Sequence, residues 1–106
     1  MAKSLVVINM EFAKAKKQAE KLDDIARDIE KAANDQLGNA LSGINNAWKS
    51  DTAGAYLQKG QKVQEQLLKR AKELRKVAST IREISKNTYD AEMNAYRIAM
   101  ERKYEG

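Results

Sequence analysis

Apolar residues recur through the first half of the chain at alternating steps of three and four residues. They are Ile8, Phe12, Ala15, Ala19, Leu22, Ala26, Ile29 and Ala33, with Ile25 and Ala32 widening the stripe. Such a heptad pattern places these residues on one face of a long helix. It predicts a first helix from about residue 9 to 46, with Asn9 as its N-cap. After Ala33 the spacing shifts, and near Gly38 and Gly43 we expect fraying or a 3₁₀ turn.

The second half of the chain shows the same three-and-four spacing of apolar residues, which predicts a helix from about residue 52 to 102. Its apolar positions are Tyr56, Gly60, Val63, Leu67, Ala71, Leu74, Val77, Ile81, Ile84, Thr88, Ala91, Ala95 and Ile98, flanked by Leu57, Leu68, Ala78 and Met93. A polar break at about residues 47–52 separates the two helices. We therefore predict an all-α fold, an antiparallel two-helix hairpin that forms one domain over residues 1–106. The second helix is the longer, so we expect its end, from about Thr88, to lack a neighbour.

The composition favours long helices around a thin core. The chain has 106 residues, 33% of them charged, and contains no proline. Residues that lose little rotamer freedom in a helix are abundant, whereas only 6% of the residues are aromatic. We therefore expect an elongated hairpin that a partner completes into a four-helix bundle. The predicted partner-interface residues are Phe12, Leu22, Ile29, Leu67, Leu74, Ile81 and Ile84.

Several classes of function lack the residues that they require. The chain has neither cysteine nor histidine, which excludes disulfides and thiolate metal sites. Acidic residues between Glu20 and Asp28 are interpreted as solvated or as paired with neighbours such as Lys21 and Arg27, so we expect no catalytic residue, metal, cofactor or small-molecule substrate. No apolar run approaches the roughly 18 residues of a membrane span. The stretch Leu5–Ile8 is too short for a signal-peptide core, so we expect neither membrane insertion nor general secretory export.

Positive charge is concentrated between Lys59 and Lys86. This segment holds nine basic residues against three acidic ones, a net charge of +6, whereas the whole chain carries +5. It is read as a solvated helix face or as a docking face for an acidic partner helix. A basic helical nucleic-acid-binding protein remains an alternative, although aromatic residues do not interleave with the basic ones and no known nucleic-acid-binding motif is present.

Trp48, the single tryptophan, lies in the break between the two predicted helices and is followed by Lys49 and Ser50. A Trp-x-small turn between two helices of this length resembles the WXG-type superfamily of small type VII secretion proteins. The resemblance implies helical hairpins that pair into homo- or heterodimeric four-helix bundles. It also implies a joint export signal, in which the Trp-x-Gly turn of one subunit lies beside a Tyr-x-x-x-Asp/Glu motif near the C-terminal end of its partner.

Two positions depart from that family pattern. Ser50 stands where the family has glycine, and Glu92 follows Tyr89, the candidate secretion-signal tyrosine, by three residues instead of four. These departures favour a protein that supplies part of a joint signal. The start around Phe12 and the tail from Tyr89 to Met93 are similar to the small helical proteins that accompany LXG-type toxins of Gram-positive bacteria.

The resemblance therefore implies a non-enzymatic partner that binds the helical N-terminal domain of a secreted toxin, alone or with a second small helical protein. Such a protein is cytoplasmic before export, and it either leaves the cell with the toxin or remains behind. A self-contained, homodimeric secreted protein of the same superfamily is the alternative within this class.

Overall fold

The computed structural model describes residues 3–47 and 51–105, and every described residue from Leu5 onward is helical. Helix α1 spans Leu5–Lys31 and continues into a π-helical turn over Ala32–Leu37; α2 spans Gly38–Ala47 and α3 spans Asp51–Glu105. Neither described range contains a β-strand, which confirms the predicted all-α fold. None of the helices in these ranges is long and apolar enough to cross a lipid bilayer.

The first helix begins at Leu5, four residues before the predicted start at Asn9. The Ser4 side-chain oxygen accepts a hydrogen bond from the Val7 N–H at 3.3 Å. The Ser4 carbonyl accepts the bond of the first full turn, from the Ile8 N–H at 3.0 Å. Ser4 therefore satisfies an N–H that would otherwise lack a partner at the helix start. The prediction that Asn9 is the N-cap is wrong, because Asn9 already lies in the second turn.

The predicted shift of register after Ala33 coincides with the π-helical turn, where we had expected fraying or a 3₁₀ turn. A π-helix bonds residue i to i+5 and so holds an extra residue in the turn. The Ala33 carbonyl accepts a hydrogen bond from the Gln64 side-chain amide at 2.9 Å. The Gly38 N–H bonds to the Asp35 carbonyl. The helix thus widens where a side chain of α3 bonds to one of its carbonyls, a recognised cause of local helix distortion.

The interhelical contacts fall into two units, the described residues of Met1–Lys21 with Val77–Gly106, and Leu22–Lys76. In the first unit, Lys3 pairs with Glu92 and Phe12 stacks on Tyr89. In the second, Arg75 reaches Glu30. Residue numbers rise along one helix as they fall along the other in each unit, so the pairing is antiparallel, as a helical hairpin requires. Helix α2 ends at Ala47 and α3 begins at Asp51, and the predicted turn motif Trp48-Lys49-Ser50 lies outside the described residues.

The α1 seam agrees with its prediction, whereas the α3 seam agrees at five of its thirteen predicted positions, which are Gly60, Leu67, Ala71, Leu74 and Ile81. All eight predicted seam residues of α1 are buried or half-buried. On α3, the seam uses positions predicted to flank it or left out of it: Ala53, Leu57, Gln64, Leu68, Ala78 and Ser85. Eight predicted positions are exposed instead: Tyr56, Val63, Val77, Ile84, Thr88, Ala91, Ala95 and Ile98. At Ala78, Gln64 and Ser85 the residue that packs inward is smaller or more polar than the aliphatic residue before it, which was predicted to face the seam.

Candidate protein-interaction surface

Alanine supplies most of the fully buried positions. In the Leu22–Lys76 unit these are Ala26, Ala33, Ala53 and Ala71; in the other unit they are Ile8, Ala19 and Ala78. The larger seam residues are only half-buried, and they are Leu22, Ile29, Leu67, Leu74 and Ile81. A heptad seam buries two positions per repeat. Here alanine takes the fully buried position in several repeats, and the partly covered position holds leucine or isoleucine.

Ion pairs line one flank of the seam in the Leu22–Lys76 unit. The Arg75 guanidinium donates to one Glu30 carboxylate oxygen, from Nε at 2.8 Å and from Nη2 at 2.5 Å. The Asp23 carboxylate lies 3.9 Å from Arg75 Nη1. Both carboxylates follow a buried alanine by four positions, as Arg75 follows Ala71. This flank of the seam is therefore polar and joins α1 to α3 through charge.

The opposite flank of the same unit is mostly apolar, and we call it the apolar flank; Arg70, seven positions after Val63, also lies on it and pairs with Glu73. Ile25 and Val63 each precede a seam residue by one position, which places them across the seam from Arg75. Each is 48% exposed. The half-buried residues Leu22, Ile29, Leu67 and Leu74 border the same flank, because their heptad position lies on that side of the seam. The apolar flank thus leaves large aliphatic side chains in water.

In the other unit an apolar groove of about 280 Å³ lies between α1 and α3. Its lining comprises Ile8, Phe12, Ala15, Ile81, Ile84, Ser85, Thr88 and Tyr89, together with the charged residues Glu11 and Glu92. The Phe12 and Tyr89 rings lie 4.6 Å apart between centroids, tilted by 36°. This centroid separation lies within the range of favourable aromatic pairs. Ile84 is 59% exposed, so the groove opens onto a further aliphatic surface.

Lys3 bridges two carboxylates beside this groove. Its ammonium donates to Glu11 at 2.7 Å and to Glu92 at 2.8 Å. The hydrogen bonds to Glu11 and then Glu92 raise the pKa of Lys3 to about 12. The expectation that the chain from Thr88 onward lacks a neighbour is therefore wrong at Tyr89 and Glu92. Phe12 of α1 contacts Tyr89, and Lys3, just before α1 begins, contacts Glu92.

The predicted site residues differ in how far they are buried. Six of the predicted interface residues are half-buried, namely Phe12, Leu22, Ile29, Leu67, Leu74 and Ile81, whereas Ile84 is exposed. Tyr89 and Glu92 lie together at the groove. The sequence reasoning missed Lys3 and Gln64. Neither had a local signal, since each bonds to a residue far along the chain.

Several acidic residues of α1 form ion pairs with basic residues. Asp24 pairs with Arg27 on the same helix, and Asp23 and Glu30 face Arg75. Within residues 3–47 and 51–105, no group of three or more histidine, cysteine, aspartate or glutamate side chains is placed to hold a metal ion.

No protein-family model matches the chain, no curated protein matches it, and no solved structure matches it. Function is therefore inferred from the apolar flank, the groove and the resemblance noted in the sequence.

Proposed function

We propose that the protein is a non-enzymatic partner in type VII secretion, which binds the helical N-terminal domain of an LXG-type toxin and contributes to its export. The apolar flank is the observation that carries this proposal. A hairpin that buries alanine and leaves Leu22, Leu67 and Leu74 half-exposed retains apolar surface for further helices. The resemblance of Trp48-Lys49-Ser50 to the WXG-type turn supplies the identity of the partner.

Binding would complete a four-helix bundle. Full burial of a leucine or isoleucine side chain contributes about 1.5–3 kcal/mol. Because the residues of the apolar flank are half-covered already, each gains about half of this on binding. Several such residues together are needed to offset the cost of ordering two chains. The ion-paired flank around Arg75 makes the opposite flank the preferred side for apolar packing.

The binding part of the proposal is tested by co-purification from the native host, with co-purifying chains identified by mass spectrometry. The wild-type chain should retain a large protein that begins with a helical domain. Val63→Asp should lose it with unchanged helicity, because Val63 is half-exposed in the free chain. Lys69→Asp is the control, since it introduces the same side chain at an exposed position away from the flank. Equal retention by both variants would contradict the assigned surface.

The export part is tested by the amount of toxin in culture supernatant against cell pellet. Trp48→Ala should reduce export while helicity is kept, because the residue lies in the break between α2 and α3. The candidate tail motif should be tested by Glu92→Gln, which should also reduce export while helicity is kept, since deletion from Thr88 would remove the contacts of Tyr89 and Glu92 with the start of the chain. Export at the wild-type level in both variants would leave Trp48 with a structural role only.

A homodimer uses the same flank and is distinguished by sedimentation of the purified chain. A self-contained dimer would dissociate on Val63→Asp without any other protein present. The class of nucleic-acid-binding proteins is favoured by one observation, the exposed lysines of α3, among them Lys62 and Lys69 one heptad apart. Duplex binding that falls steeply with salt would support that class.

A further inference from the structure

The start of α1 carries a second apolar surface, on the side facing away from the seam. Val6 is 67% exposed and Met10 is 65% exposed, and they lie one helical turn apart. Val7, beside them, is 40% exposed. Ile8, by contrast, is 1% exposed and faces α3. We call Val6, Val7 and Met10 the outer patch; it belongs neither to the groove nor to the apolar flank.

A row of lysines continues the outer patch along the same face of α1. Lys14, Lys17 and Lys21 follow Met10 by four, seven and eleven residues, spacings that return to one side of a helix. All three are exposed. Between Leu5 and Lys21 the carboxylates are Glu11 and Glu20. Glu11 is bonded to Lys3 beside the groove, and Asp24, one turn after Lys21, pairs with Arg27, which leaves Glu20 as the nearest other carboxylate to the three lysines.

We propose that this face docks on the surface of an anionic lipid bilayer. The outer patch would enter the boundary between headgroups and acyl chains, and Lys14, Lys17 and Lys21 would pair with the anionic headgroups. Amphipathic helices with lysines beside an apolar edge bind membranes in this way, lying in the interface without spanning it. The proposal does not rest on the proposed function, because it uses a different face of α1.

The dimensions of the outer patch favour a lipid surface over a partner helix. A coiled-coil contact needs apolar positions sustained over about three or four heptads. The outer patch occupies less than two turns and is followed by charge. A planar anionic surface requires no apolar repeat, since one apolar edge with adjacent cations is complementary to it.

The binding strength of the lysine row can be anticipated. One lysine close to an anionic membrane strengthens binding by about fivefold, and the effect fades within a Debye length. The double variant Lys14→Gln/Lys17→Gln is therefore expected to raise the half-saturating lipid concentration by about 25-fold. Binding should weaken strongly between low and high salt.

The experiment uses the full chain and sedimentation with vesicles of equal parts phosphatidylglycerol and phosphatidylcholine. The wild-type chain should bind these vesicles and not pure phosphatidylcholine. Met10→Glu should raise the half-saturating lipid concentration at least about tenfold, because it removes an apolar contact and adds a like charge. Circular dichroism should show unchanged helicity, since Met10 is largely exposed. The matched control is Lys62→Gln/Lys69→Gln on α3, which removes the same charge elsewhere and should change binding less than about threefold.

Three results would overturn the proposal. The first is no binding of the wild-type chain to phosphatidylglycerol vesicles. The second is equal weakening by the two double-lysine variants, which would reduce the effect to the net charge of +5. The third is that the wild-type chain self-associates, that Met10→Glu abolishes this self-association, and that neither chain binds vesicles. The outer patch would then be a protein contact.

Discussion

Leu41 of α2 packs directly over Gly60 of α3, and this contact gives the sharpest test of the interhelical packing. A Cβ atom at position 60 would overlap the Leu41 Cδ2 methyl and would lie 3.2 Å from Cγ and 3.3 Å from Cδ1. Replacing glycine by alanine inside a helix normally stabilises by about 0.5–1 kcal/mol. Forcing an extra methyl group into a packed site costs about 1–3 kcal/mol. Gly60→Ala is therefore expected to lower the free energy of unfolding by about 1 kcal/mol.

The matched control for this substitution is Gly43→Ala in α2. Nothing lies within 4 Å of a Cβ built at position 43. The substitution should therefore gain only the helical preference, about 0.5–1 kcal/mol. The two variants make the same chemical change and should move the free energy of unfolding in opposite directions.

A double-mutant cycle then assigns the difference to Leu41. Leu41→Ala removes the overlapping side chain, so Gly60→Ala in that background should stabilise by about 0.5–1 kcal/mol. The coupling energy between the two positions should be about 1–3 kcal/mol. Urea unfolding followed by far-UV circular dichroism measures all four corners. A coupling near zero, or equal stabilisation by Gly60→Ala and Gly43→Ala in the wild-type chain, would refute the contact.

Three further substitutions test other parts of the structure by the same unfolding assay. Gln64→Ala removes the interhelical hydrogen bond at the π-helical turn and should cost about 1 kcal/mol, whereas Gln66→Ala, at an exposed position, should change stability by less than about 0.5 kcal/mol. Arg75→Ala removes partly exposed ion pairs and should cost at most about 1 kcal/mol, a loss that disappears at high salt. Leu74→Asp places a charge at the seam and should strongly destabilise the chain, while Lys69→Ala leaves helicity unchanged. Equal melting temperatures for Leu74→Asp and Lys69→Ala would show that the seam is wrongly assigned.

The α1 seam could be predicted because large and small apolar residues there mark the same face. Phe12, Leu22 and Ile29 alternate with Ala19 and Ala26, and all of them face α3. On α3 the large apolar residues and the small ones lie on different sides of the helix face that contacts α1. The aliphatic positions at 63, 77 and 84 stand one residue before the small or polar ones that pack inward. A prediction that assigns the largest apolar side chains to the seam therefore selects positions 63, 77 and 84, which lie at the exposed edge of the apolar face of α3.

The ends of the elements were harder to predict, because they depend on pairwise polar contacts. Asn9 and Ser4 are both good N-cap residues, and periodicity alone does not choose between them. The choice decides where α1 begins, whereas Phe12, which contacts Tyr89, lies within the helix in either case. The bridge from Lys3 to Glu92 likewise joins residues 89 positions apart. Such contacts follow from the paired helices and are not encoded in local spacing.

The alanine seam also explains why apolar surface remains available. Burial contributes roughly in proportion to the apolar area removed from water, and a methyl side chain removes little. Ala26, Ala33 and Ala71 let α1 and α3 approach, yet their own burial stabilises the pair only modestly. The side chains with more area to bury, Leu67 and Leu74 among them, stay half-covered at the flank. Intramolecular pairing thus sets the register of the two helices. The larger part of the free energy of apolar burial would come from a partner that covers the apolar flank.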